Sequence, residues 1–92
     1  MVSYQVVVLP EAEEDLEELD PSIRQRALSK IEWLSLHPEV LGKKPLHHLP
    51  LALKGLQSYP IGDWRILCWI YPAQKILKVY GIQHRSRVYK YL

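Results

Sequence analysis

Apolar positions along the chain change their period repeatedly, and each change predicts an element. The run "SYQVVVL" at 3–9 is rich in β-branched and aromatic residues and predicts a buried or half-buried strand. From Pro10 the spacing becomes helical, with Ala12, Leu16 and Leu19 at i, i+4 and i+7. Pro10 suits a first helical position, where its missing N–H costs nothing, and the acidic residues after it complement the positive end of the helix dipole. Asp20-Pro21-Ser22 restarts the pattern, with Asp20 expected as N-cap and Pro21 as the first helical residue. Ile23, Ala27, Ile31 and Leu34 then form one apolar stripe, widened by Leu28. His37-Pro38 ends it, because the residue before proline avoids the helical region. The two segments predict a helical hairpin.

Three prolines and a glycine make "PEVLGKKPLHHLP" at 38–50 a loop. Strand signals resume in "LKGLQSYPIGDWRILCWIYP", with Gly62-Asp63 as a hairpin turn, and in "KILKVYGIQ" after a turn around Pro72-Ala73. Three strands in such close succession pair most simply as antiparallel neighbours. The order β-α-α-β-β-β predicts a two-layer α+β fold, in which an N-terminal strand and a helical hairpin pack on a mainly antiparallel four-stranded sheet. Repeats, linkers and low-complexity tracts are missing, so residues 1–92 read as a single domain with one core.

Composition changes this picture little, and charge changes it more. A chain 48% hydrophobic and 24% charged falls in the range of ordinary globular proteins. The lone Cys68, inside "ILCWIY", has no cysteine to pair with in the chain and is expected as a small buried hydrophobe. No apolar run approaches the roughly 18 residues of a membrane span, and "MVSYQVVVL" lacks the basic region of a signal peptide, so a cytoplasmic location is expected. The net charge of +2 hides an asymmetry: residues 1–23 carry −7 and residues 24–92 carry +9. After Asp63 there is no carboxylate side chain, against Arg65, Lys75, Lys78, Arg85, Arg87 and Lys90. Such a field attracts a polyanion to the C-terminal half and repels it from the acidic helix.

The chemistry available is narrow. The sequence has no glycine-rich phosphate loop, no paired-cysteine motif and no His-Glu-x-x-His, and the adjacent His47 and His48 point apart in extended chain, so neither metal nor cofactor is expected. Arg, Lys, His and Tyr remain, a set suited to gripping a phosphodiester and stabilising added charge on it. They concentrate in "HRSRVYKYL" at the chain end. Trp33, Trp64 and Trp69 read as core or interface aromatics.

The element order, with "LKGLQSYPIGDWRIL" in the middle and "HRSRVY" near the end, resembles the RelE/ParE superfamily of bacterial toxin–antitoxin toxins over nearly the whole chain. The most specific parts are Gly62-Asp63-Trp64-Arg65 and His84-Arg85 with Val88-Tyr89. The resemblance to the RelE branch implies a toxin that cuts messenger RNA on the ribosome, with the ribose 2′-hydroxyl as nucleophile and no metal, and that a cognate antitoxin holds in a hetero-oligomer. It implies that Arg65 stabilises the phosphate in the transition state, that Arg85 does the same or assists the leaving group, and that Tyr89 stacks on or orients a base. His84 is a further candidate for acid–base work, although alternation along a strand would point it away from Arg85. Lys43, Lys44, Lys54 and Arg87 are candidates for contact with the RNA backbone. One departure stands out: the RelE branch carries lysines in the strand before the arginine, one of them proposed as the base, whereas this chain has Ser58 and Pro60 there, with Lys54 the nearest lysine. The alternative is the ParE branch, which poisons DNA gyrase and does not need the arginine–tyrosine set; the missing lysines favour it or a weakened nuclease.

Overall fold

The computed structural model describes residues 3–89; Lys90 and Tyr91, the rest of the basic terminal cluster, lie outside them. The chain runs β1 (Gln5–Val8), α1 (Pro10–Glu18), α2 (Pro21–Leu36), β2 (Gln57–Ile61), β3 (Trp64–Tyr71), β4 (Ile76–His84) and α3 (Arg85–Val88). Single 3-10 turns at Pro38–Val40 and Leu51–Leu53 interrupt the long loop between α2 and β2. The sheet order is β1-β4-β3-β2, with β1 parallel to β4 and the other pairs antiparallel. This is the expected α+β architecture.

The helical hairpin packs on one face of the sheet. Ala12, Leu16 and Leu19 of the first helical segment and Ala27 and Ile31 of α2 meet Ile61, Ile66, Val79 and Ile82 from the strands in one apolar cluster. Leu34 joins Tyr59, Cys68 and Leu77 in a second cluster on the same side. Leu28 does not widen the buried stripe as expected: it is 44% exposed, because the helix turns that position away from the sheet. Trp33, at 41% exposure, also sits on the outer side of α2, while Trp64 and Trp69 are half-buried. Asp20 precedes α2, but its side chain makes no capping bond; Arg24 closes the corner instead. The Arg24 guanidinium donates to the carbonyls of Leu16 (2.7 Å), Glu17 (3.0 Å) and Leu19 (3.1 Å), satisfying acceptors that the end of α1 leaves free.

The opposite face of the sheet is partly covered as well. Strand alternation sends Arg65, Leu67 and Trp69 to this side, where Leu67 packs with Leu46 and Leu56 from the loop and with Val88 of α3. A bridge between Pro45 and Gln57 lays the loop along the outer edge of β2. The loop is thus a partial third layer, and α3 a short lid at its end. Gly62, at φ +64°, takes the first corner of the two-residue β2–β3 turn, a conformation that glycine adopts without strain.

Candidate functional site

Three elements converge where the β2–β3 turn meets the end of β4. Arg65 stands at the start of β3, between Pro60 on one side and Gln83 on the other, and is half-buried. Its Nη1 donates to Ser58 Oγ at 3.4 Å, one diagonal along β2. Ser58 itself is buried, so the hydroxyl at the position of the missing strand lysine serves to hold the arginine head.

Past His84 the strand stops and the chain turns into α3. The turn is made by local chemistry: His84 Nδ1 accepts from the backbone N–H of Ser86 at 3.3 Å, capping the helix, and Arg85 N–H donates to the Asp63 carbonyl at 2.8 Å. Val88, buried against Leu46, Leu56 and Leu67, anchors the other end. Arg85 is therefore not the next residue of a strand, as alternation along an extended chain had suggested. It begins a helix that brings it over the face carrying Arg65.

Arg65, Arg85, Ser86 and Tyr89 line one open depression of about 640 Å³. Arg85 and Asp63 are each 67% exposed, with Arg85 Nη1 3.8 Å from Asp63 Oδ1, a contact too open to water to hold the guanidinium firmly. Tyr89 presents a ring that is 77% exposed. The depression offers two cationic forks, a hydroxyl and an aromatic face. That combination fits a phosphate with an attached base.

The remaining sequence candidates sit elsewhere. His84 pairs with Trp64 on the helix-facing side, ring centroids 5.3 Å apart, and lines a second depression with Asp15, Glu18 and Arg87. Lys54 lines a third, with His47 and His48. Lys43 and Lys44 are exposed on the loop beside β2, where the Lys44 N–H donates to Gln57 Oε1 at 3.0 Å and its carbonyl accepts from the Ser58 N–H at 2.9 Å. Among the described residues, no three His, Cys, Asp or Glu side chains gather as metal ligands would. Ser58, Asp63 and Ser86 were not singled out as site residues from sequence, where Gly62-Asp63 was read as the turn before Arg65 and Ser58 as a departure from the strand lysines.

The family model for the ParE toxin of type II toxin–antitoxin systems matches residues 6–89. The chain belongs to the RelE/ParE toxin superfamily. This RelE/ParE toxin is 30% identical to a chain of the RelBE2 toxin–antitoxin complex from Mycobacterium tuberculosis, over 94% of its own length and 95% of that chain, with a TM-score of 0.76. It shares the fold of an arginine double mutant of Escherichia coli RelE bound to a RelB antitoxin peptide, at 14% identity, coverages of 97% and 93%, and a TM-score of 0.72. The archaeal RelE–RelB complex from Pyrococcus horikoshii matches at 20% identity, coverages of 94% and 99%, and a TM-score of 0.68. No curated protein matches the toxin by sequence. No helix among its described residues is long and apolar enough to cross a membrane.

Proposed function

We propose that this toxin is a ribosome-dependent messenger RNA endonuclease of the RelE type, acting in the cytoplasm without a metal. The observation that carries the reading is the convergence of Arg65, Arg85 and Tyr89 on one depression, from two segments twenty residues apart. In this reading the ribose 2′-hydroxyl attacks the adjacent phosphorus, and the guanidinium groups of Arg65 and Arg85 donate to the phosphoryl oxygens as they gain charge. Tyr89 stacks on a neighbouring base, which fixes the scissile phosphate against the arginines. Products carry a 2′,3′-cyclic phosphate and a 5′-hydroxyl. Lys43, Lys44, Lys54 and Arg87 hold RNA backbone around this centre.

The partner proposed is a cognate antitoxin. The Mycobacterium, Escherichia and Pyrococcus relatives were each solved with an antitoxin or a piece of one. A basic depression with an exposed tyrosine suits an antitoxin segment that neutralises charge and folds as it binds.

A second reading, a ParE-like gyrase poison that is not a nuclease, is favoured by the matched ParE family model and by Ser58 and Pro60 in place of strand lysines. A translating extract separates the two. The nuclease reading expects cut messenger with 5′-hydroxyl ends, persisting under a transition-metal chelator at the Mg²⁺ concentration that ribosomes need. Intact messenger together with inhibited gyrase supercoiling would replace it with the ParE reading, and 5′-phosphate ends would overturn the 2′-hydroxyl mechanism.

A further inference from the structure

The depression that holds the two arginines has no strand lysine to act as base, yet a basic nitrogen is connected to it. Ser86 lines the depression beside Arg65, Arg85 and Tyr89. Its Oγ lies 3.0 Å from His84 Nδ1, across the turn from β4 into α3. The same Nδ1 accepts the Ser86 backbone N–H at 3.3 Å, a contact that calls for the tautomer with its proton on Nε2. With that tautomer the serine hydroxyl donates to His84 Nδ1 and keeps its own lone pairs. Asp15 and Glu18 of α1 and Arg87 of α3 line the second depression with His84. Trp64 meets the ring nearly perpendicularly, with centroids 5.3 Å apart.

We infer that Ser86 is a catalytic residue of this site, passing the proton of the attacking 2′-hydroxyl to His84 in place of the lysine base that the strand lacks. The inference rests on the nuclease reading above. As the 2′-oxygen forms its bond to phosphorus, its proton moves to Ser86 Oγ while the serine proton moves to His84 Nδ1, leaving an imidazolium. The bond from phosphorus to the 5′-oxygen breaks, and that oxygen takes a proton from water. The imidazolium then returns its proton to water, and the site is restored. His84 acts only through Ser86, which explains how a histidine on the helix-facing side of the sheet serves a depression on the other.

Two substitutions isolate the relay, because each leaves the cap of α3 in place. Ser86→Ala removes the hydroxyl and keeps the backbone N–H that bonds His84. His84→Asn keeps an oxygen that caps the helix and removes the titratable ring. With wild-type toxin, both single variants, the double variant and Arg65→Ala, single-turnover cleavage of ribosome-bound messenger is measured across pH, with ribosome affinity and melting temperature alongside. General-base catalysis contributes about 10²- to 10⁴-fold, so each single variant should lose on the order of 100-fold in rate with unchanged affinity and melting temperature. The double variant should lose no more than the worse single one, since the pair works as a unit. The acid limb of the pH–rate profile should vanish in His84→Asn. Wild-type rates in Ser86→Ala, single losses that multiply in the double variant, or an unchanged pH profile in His84→Asn would each overturn the relay and leave the nuclease reading standing. A wild-type toxin that cuts nothing while Arg65→Ala still arrests growth overturns both.

Discussion

Arg65 and Arg85 reach the depression by unlike routes, and the difference sets what each substitution should do. Arg65 is held by Ser58 on a rigid strand, whereas Arg85 projects into water from the first turn of α3. A charge-assisted contact that strengthens as the phosphate gains charge is worth on the order of 2–4 kcal/mol, or roughly 30- to 1,000-fold in rate. Arg65→Ala and Arg85→Ala should each abolish growth arrest, with melting temperatures within a few degrees of wild type by calorimetry, and Tyr89→Ala should weaken arrest less. Cys68 shows the opposite case, a residue with structural chemistry alone. Its burial between helix and sheet pushes the thiol up to about 12, so at neutral pH the folded protein offers no thiolate, and alkylation should require unfolding. The unfolded thiol ionises near 9.0 and the folded one near 12, so between those values the folded state binds the extra proton. Stability should therefore fall as pH rises through that window, and Tyr59, likewise raised by burial, adds to the fall. Urea titrations at successive alkaline pH values measure the slope, which Cys68→Ala should flatten. The burial of Cys68 was legible from its apolar neighbours, and the position of Arg65 at the start of a strand from the turn before it. Ser86 was not, because a serine in a basic run carries no mark until the turn places it under a histidine.

At the scale of elements, one contact ties the helical layer to the central strand. β1 ends at Val8, opposite Val79, so β4 runs on past its parallel neighbour with backbone groups exposed on that side. Asp15 fills the gap: its Oδ2 accepts the Ile82 N–H at 2.9 Å, and a β-carbon at Gly81 would lie 2.9 Å from the same oxygen. The glycine is thus favoured by close approach of the Asp15 carboxylate and not by backbone angle. Asp15→Ala leaves a buried N–H unpaired and should cost about 1–3 kcal/mol in chemical denaturation. Gly81→Ala should destabilise the wild type too, but much less in the Asp15→Ala background, where the obstructing oxygen is gone. Equal costs in both backgrounds would mean that Gly81 serves something other than this approach. The sequence announced Asp15 only as one of several acids suited to a helix N-terminus, and Gly81 only as part of the strand run "KILKVYGIQ". The same limit explains α3. Four residues do not set a helical period, and the element exists because His84 caps it and Val88 packs on Leu67, contacts that depend on the finished sheet. The hairpin of α1 and α2 and the three late strands, by contrast, repeat their periods long enough to be read directly.

Across the whole molecule, charge and chemistry are divided. The acidic first helix packs along β4, while Arg85 lies over the face that it leaves open and Arg87 shares the second depression with Asp15 and Glu18. On the proposed reading the chemistry belongs to the depression at the end of β4, and none of the lysines at 43, 44 and 54 lines it. On the nuclease reading these lysines act by releasing counterions from RNA, which strengthens binding without favouring the transition state over the bound substrate. Replacing Lys43, Lys44 and Lys54 together by Gln should therefore weaken ribosome association, and should flatten its dependence on KCl by roughly 0.7–0.9 in log–log slope for each lysine that meets a phosphate. The cleavage rate at saturating ribosomes should stay at the wild-type value. Arg65→Ala should give the reverse pattern, a large fall in rate with a small change in affinity. Titrations of toxin against programmed ribosomes at several KCl concentrations and fixed Mg²⁺ measure both quantities. If the lysine variant instead loses rate at saturation with its salt slope unchanged, the loop is part of the reacting centre, and the division between a steering surface and a chemical corner is wrong.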